Sequence, residues 1–490
     1  MEQDILRFPV DQFTTEEKTV KTRSGQVTVT YRKYEHLQYV AKPVDAEYQS
    51  LDVWAPTAID GTPYDASNAP IFFAIDVGGY MSSSNFRGFG PPGGPGGPGG
   101  PGGPGGAPNG GYLGLGGEEG SGNTKALALA YGFVVVCPGC RGRDNQFPDG
   151  TYYGKAPAAI VDLKAAVRYL RHNSAIIPGD PEKIFSSGGS AGGALSCLLA
   201  ASGNSPLYDP YLSAIGAADQ RDDIMGSASY SPITNLEHAD SAYEWQYREI
   251  PCVGSSGGPM GFIPAGLVDQ KLSKALAAEF PPYQDSLKLT GMEGYGPVTA
   301  DNLKDYILKV FLIPSANKAW AESTPRQQTR YLEVNPWFHY ENGSAIFTFE
   351  DFVVHCGRMK GLPAFDDFHK AMAEPILFGT EHQNSRHFTT FSLTHDPDET
   401  ATVLTEDLKT VISLMNPMDF ILRDNPGCAP HWWIRHGACD KDTSLPVVVD
   451  LATAVAGIGK DVSARLIWDG GHCADDDTEG FMIWMKNLCR

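Results

Sequence analysis

Gly188-Gly189-Ser190-Ala191-Gly192 constrains this chain more than any other stretch. It satisfies G-x-S-x-G between the short stretch Lys183-Ile-Phe-Ser-Ser187 and a small-residue segment at 191–201. A strand that turns straight into a helix leaves room only for small residues beside the serine. The turn lifts that hydroxyl clear of the sheet at a helix N-terminus. The pattern predicts a strand over 183–187 and a helix over 191–201. A second match, Gly254-Ser-Ser256-Gly-Gly258, follows Pro251-Cys252 and precedes Pro259. It has no helix to open, so it reads as a plain loop and Ser190 is favoured over Ser256.

The surrounding pattern is α/β. Residues 70–75 and 131–136 are continuous apolar runs, as expected of strands buried on both faces of a helix-covered parallel sheet. Period-two alternation at 27–32, followed by 51–54, predicts a β-rich N-terminal stretch. Residues 157–173 read as a helix with Pro in its first turn. Near the end, 430–435 and 463–468 read as strands around a helix at 444–457. Strands alternating with helices predict a doubly wound, mostly parallel sheet. Residues 1–235 and 396–490 would form this core. Residues 236–395, with short helices and no βα alternation, read as an inserted cap over the C-terminal edge, where ligands of open α/β sheets bind. Residues 90–106, nearly pure Gly and Pro, read as a flexible surface loop.

The chain has 490 residues, 38 Lys+Arg and 58 Asp+Glu, a formal charge of −20. Such a surface repels nucleic acid and anionic membranes. The longest apolar run, 126–137, is too short to span a bilayer. The first residues lack a basic-then-apolar leader pattern, which fits either a cytoplasmic protein or one whose leader has been removed. Nine cysteines are scattered; Cys137-Pro-Gly-Cys140 reads first as two buried thiols. No cofactor and no metal is expected, and Asp475-Asp476-Asp477 reads as a solvated acidic turn.

A serine nucleophile needs a base, and the base needs an orienting acid, in the chain order Ser, Asp, His on this type of sheet. His472, in Trp468-Asp-Gly-Gly-His472, stands just past the last predicted strand, where a loop can carry it over the serine. His172, His355 and His387 read as ordinary helix or cap residues. Asp440, in Arg435-His-Gly-Ala-Cys-Asp440-Lys-Asp442-Thr, lies 32 residues earlier, a gap that one helix and one strand fill. Asp442 is the alternative acid, or a cap for the following helix. Two such carboxylates in an extended segment would raise each other's pKa. For a developing oxyanion, the N–H of Ala191 is one donor. Asp76-Val77-Gly78-Gly79-Tyr80 supplies the other, Gly79 first and Gly78 next.

Taken with Asp162-Leu-Lys-Ala-Ala-Val-Arg-Tyr-Leu-Arg-His-Asn173, Tyr230-Ser-Pro-Ile233-Thr-Asn235, the 435–444 motif and the Lys360…Glu374 spacing, the sequence from about residue 65 onward resembles the bacterial tannases, tannin acyl hydrolases of the α/β-hydrolase superfamily. The resemblance implies an α/β-hydrolase fold with a cap and a catalytic Ser190, Asp440 and His472. It also implies a galloyl pocket in which Lys360, Glu374 and Asp442 hold three phenolic hydroxyls while Ile233 covers the ring. The family pattern has Pro before the glutamate; here Ala373 stands there and Pro375 follows. The substrate implied is a small phenolic ester. A feruloyl esterase or a serine peptidase could use the same core, and a binding-only hydrolase fold would lack the triad in its fold order.

Overall fold

The computed structural model describes residues 5–85, 88–89, 124–256 and 262–490, so the Gly/Pro tract at 90–106 lies outside the described residues. The central sheet has nine principal strands: β1 (Thr14–Thr22), β2 (Gly25–Gln38), β3 (Ser50–Ile59), β4 (Ile71–Ala74), β5 (Val134–Pro138), β6 (Ile184–Gly189), β7 (Gly226–Tyr230), β8 (His431–Gly437) and β9 (Asp461–Ile467). Their order is β1-β2-β3-β5-β4-β6-β7-β8-β9, and the pair Thr62–Pro63 extends β3 as a tenth, minimal strand. Strands β4 to β9 pair in parallel, while β1, β2 and β3 are antiparallel to their neighbours.

The apolar runs behave as a two-sided strand must. Phe72 packs into one core and Phe73 into the other; Val135 and Val136 alternate likewise, as do Trp433 and Trp432. Successive side chains point to opposite faces, so unbroken hydrophobicity means both faces are covered. The helices Thr124–Ala130 and Thr478–Leu488 cover one face, and Ala158–His172, Ala191–Ala201 and Leu445–Gly457 the other. Strand β3 runs past the expected end at Trp54, because Pro56 sits at a register shift opposite Tyr31. There its missing N–H costs no ladder bond.

Charged positions of the helix Ala158–His172 act as buried struts. Asp162 accepts from Arg141 and from Gln49, each at 2.8 Å, and Lys164 donates to Asp222 at 2.8 Å and to the Ser202 carbonyl at 2.7 Å. Cys137 and Cys140 are buried and unbridged, and burial pushes the Cys137 thiol up to about 12. The acidic turn differs from its expectation. Asp475 to Asp477 are half-buried, Asp476 pairs with Lys318 and Arg465, and Asp477 pairs with Arg23. No helix among the described residues is long and apolar enough to cross a membrane.

Between β7 and β8 the segment 236–395 contributes helices and three two-stranded ribbons, and among its described residues no strand joins the central sheet. Its order comes from contacts distant in sequence. Fully buried Arg358 donates to Glu244 (Nη1 to Oε2, 3.0 Å), 114 residues away. Asp366 accepts from the Thr389 hydroxyl and amide at 2.7 and 2.8 Å and from His387 Nδ1 at 2.8 Å, while His387 Nε2 reaches Asp396 at 3.0 Å.

Candidate active site

Ser190 occupies the turn between β6 and the helix Ala191–Ala201, with φ 56° and ψ −124°. A non-glycine residue held at positive φ is strained and persists only where its neighbours over-determine it. Here they do. The Ser190 N–H donates to the Tyr230 carbonyl at 2.8 Å, and the Gly192 N–H to the Val77 carbonyl at 2.9 Å. A Cβ on Gly192 would stand 2.7 Å from that carbonyl oxygen, and one on Gly188 would stand 2.4 Å from the Gly192 oxygen. The glycines of the motif are therefore required by backbone contact on both sides. Ala191 opens the helix, so its N–H has no intrahelical acceptor. The loop 76–80 is stitched beside this turn, with Gly79 at φ 53° and its carbonyl accepting from Arg143 Nε at 2.6 Å.

Asp440 and His472, expected as acid and base, lie on the loops after β8 and β9. His472 Nδ1 lies 2.9 Å from Asp440 Oδ2. Asp440 is fully buried, and its Oδ1 accepts the N–H groups of Asp442 (2.8 Å) and Thr443 (3.2 Å). The next residue, Cys473, donates its N–H to Ser231 Oγ at 2.9 Å, and its sulfur is the nearest atom to a Cβ placed on Gly189, at 3.0 Å. The His472 loop thus lies directly against the Ser190 turn. The His472 side chain is 30% exposed, open to a ligand from solvent.

Lys360 and Asp442, 82 residues apart in the chain, meet at 2.8 Å, and Lys360 Nζ also sits 3.6 Å from the Phe365 ring centre. Glu374 is buried on the helix Ala373–Leu377, and its Oε2 has no hydrogen-bond partner among the described residues. Ile233 is buried, and its carbonyl accepts from the Tyr80 hydroxyl at 3.3 Å.

Charge ties these groups into one site. Burial pushes the Asp440 pKa up, but His472 and His436 outweigh it and hold the carboxylate well below its usual range. Burial likewise raises Asp442, and Lys360 with His472 overcome it, so its pKa ends lowered. Asp440 does raise Asp442, as expected, but the cations outweigh it, so neither carboxylate ends raised. The segment is a turn in which Asp440 accepts the Asp442 amide, and each carboxylate has its own cation. Nor does Asp442 cap the following helix, whose N-cap is Ser444. Glu374 titrates above its ordinary value through burial, with Asp442 adding to the effect and Lys360 and Arg143 opposing it. Burial lowers the His472 pKa, yet Asp440 and its neighbours raise it well above that of a free imidazole.

Several contributors carried no sequence signal of their own. Arg143 bridges the Gly79 carbonyl and the field of Glu374. Tyr243 and Tyr247, one turn apart on the helix Leu236–Tyr247, donate to the carbonyls of Lys441 (2.8 Å) and Asp440 (2.9 Å). His355, read from sequence as an ordinary helix residue, lies 2.9 Å from Asp469 on the His472 loop. The competing Ser256 stands in a two-residue strand paired with Phe262–Ile263, and Gly257 and Gly258 lie outside the described residues.

Comparison with known proteins agrees with the fold. The BD-FAE family model matches residues 119–262. Esterase LipQ of Mycobacterium tuberculosis is 36% identical over 88 residues, which is 18% of this chain and only 20% of LipQ. Solved structures align over nearly everything. The tannase of Fusobacterium nucleatum is 35% identical with a TM-score of 0.82, and the tannin acyl hydrolase of Lactobacillus plantarum is 32% identical with a TM-score of 0.82. Each alignment covers 99% of both chains. A tannin acyl hydrolase solved in complex with ethyl gallate aligns equally completely, at 32% identity and a TM-score of 0.81. The chain belongs to the bacterial tannases, carboxylic ester hydrolases built on the α/β-hydrolase fold.

Proposed function

We propose that this chain hydrolyses galloyl esters to gallic acid and an alcohol through an acyl-enzyme on Ser190, with residues 236–395 serving as a cap that carries the substrate pocket. The observation that carries the reading is the Lys360–Asp442 pair at 2.8 Å, beside the unpartnered buried carboxylate of Glu374 and next in the chain to the Asp440–His472 pair. Two acceptors and one cationic donor suit three vicinal phenols, each of which both donates and accepts. Charge-assisted hydrogen bonds of this kind are about twice as strong as neutral ones.

In the reaction, Ser190 Oγ attacks the ester carbonyl while His472 Nε2 takes its proton. Asp440 holds the Nδ1–H, fixes the tautomer and stabilises the imidazolium. The N–H groups of Ala191 and Gly79 donate to the oxyanion. His472 returns the proton to the leaving alcohol, and water then repeats the sequence on the acyl-enzyme. Lys360 donates to phenolic oxygens, Asp442 and Glu374 accept from phenolic hydroxyls, and Ile233 covers the ring face. Comparison of kcat/KM for methyl gallate and methyl ferulate tests the pocket. Ferulate has one free phenol, so gallate should be favoured strongly; a preference for ferulate overturns the galloyl assignment.

A further inference from the structure

We infer that His355 is a positioning residue for ester cleavage: from the cap it holds, through Asp469, the loop that presents His472. The inference rests on the assignment of His472 as the base.

The loop between β9 and His472 has little to hold its shape by itself. Gly470 and Gly471 have no side chains, so its path is set by Asp469 at one end and by Cys473, bonded to Ser231, at the other. Asp469 has φ 55°, a left-handed conformation that a non-glycine residue adopts at a cost of about 1–3 kcal/mol. Something must pin it there. On the core side the loop lies flat on the acid-bearing segment. The Cys439 N–H donates to the Gly470 carbonyl at 2.9 Å, and a Cβ on Gly437 would stand 2.0 Å from the Gly471 oxygen. On the opposite side the pins come from the cap. His355 Nε2 lies 2.9 Å from Asp469 Oδ1, the Tyr331 hydroxyl donates to the same oxygen at 3.3 Å, and Trp468 Nε1 donates to that hydroxyl at 3.0 Å.

His355 is suited to this part. Its ring packs on Trp337 at 4.8 Å between centres, and it lies in the last turn of the helix Phe349–Cys356, only five residues before Lys360. Burial lowers its pKa, but Asp469 and Cys439 together outweigh it and push the ring up to about 10. Two histidine–carboxylate pairs thus grip one loop in opposite senses. Asp440 of the core holds the loop's histidine, and His355 of the cap holds the loop's aspartate. Displacing a reacting group by about 1 Å can cost ~10²-fold in rate without touching substrate binding.

The test is steady-state kinetics on methyl gallate with thermal melting recorded alongside. His355→Ala should lower kcat ~10–100-fold at unchanged KM, and His355→Gln, which keeps an N–H donor at a similar reach, should recover most of it. If the alanine variant does not fold, Tyr331→Phe carries the test, because it removes the second donor and should lower kcat alone. A folded His355→Ala variant with unchanged kcat overturns the inference, as does an equal loss for alanine and glutamine. Elemental analysis is the third arm. Donor atoms of His355, Cys439 and Asp469 lie within 4.8 Å of one another, and stoichiometric zinc in the purified protein would make His355 a ligand and overturn the inference. Full activity in His472→Ala would instead remove the assignment of the base on which the inference stands.

Discussion

Replacing Lys360 by Met removes one charge from the pocket while keeping most of the stem volume. The ammonium is buried, 2.8 Å from Asp442 and 3.6 Å from the Phe365 ring centre, so no bulk water stands ready to replace it. Breaking a fully buried ion pair by removing one partner costs about 3–5 kcal/mol. Asp442 is 28% exposed at its side chain and will be partly rehydrated, which pulls the figure down. A charge-assisted bond to the substrate is itself worth about 1.5–3 kcal/mol. We therefore expect about 2–3 kcal/mol to be lost from transition-state binding of the galloyl ring, a drop of ~30–150-fold in kcat/KM for methyl gallate. Methyl benzoate, which offers no hydroxyl to Lys360, should lose no more than about threefold. The ratio of the two substrates, with a thermal melt to confirm folding, isolates the pocket from the triad. An equal fall for both esters, or none for either, would refute the reasoning.

Ser190→Ala should lower turnover at least ~10³-fold while leaving the fold intact, since the substitution removes the proposed nucleophile. Gly192→Ala should abolish activity and lower stability by about 1–3 kcal/mol, read by denaturant titration, because its Cβ would meet two carbonyl oxygens, at 2.7 and 3.0 Å. His472, the proposed base, must be neutral to act, and Asp440 holds its pKa above the ordinary value of about 6.5, so kcat/KM should still be rising with pH above that point. The same shift makes a stability contribution that is complete below about pH 6.5 and fades as pH rises through the folded value. The depressed Asp440 behaves oppositely, contributing above about pH 4 and losing that contribution on acidification. An acid limb lying below pH 6 would contradict the Asp440–His472 coupling.

What could be read in the sequence was what backbone geometry demands locally. The helix over 191–201 falls where the glycines and small residues place it, and the core strands surface as apolar runs because both their faces are buried. Ends were less legible. Strand β3 continues through Pro56 because a register shift absorbs the missing donor, which no local pattern announces. The segment 236–395 was opaque because its order depends on charges that meet only in three dimensions, such as Arg358 with Glu244 and His387 between Asp366 and Asp396. The candidate site divides the same way. Ser190, Asp440 and His472 follow from a motif and from chain order. Lys360 and Glu374 look like surface residues until burial shows otherwise, and they came from the family resemblance alone. The role of His355 was invisible for the same reason, its partner being 114 residues away.

The excess of carboxylates over cations has a consequence for the end of the catalytic cycle. A gallate ester, the proposed substrate, would enter uncharged, whereas the acid released from it ionises at neutral pH. In the proposed site Asp440 and Asp442 are each offset by a cation of their own, His472 and Lys360, so what the newly formed anion meets is the field of a molecule of net charge −20. Like charges repel, and the repulsion is screened by salt. On the proposed reaction, chemistry would thus convert a welcome guest into an unwelcome one, its departure favoured by the bond just broken. Inhibition of the reaction by added gallate should accordingly strengthen as ionic strength rises.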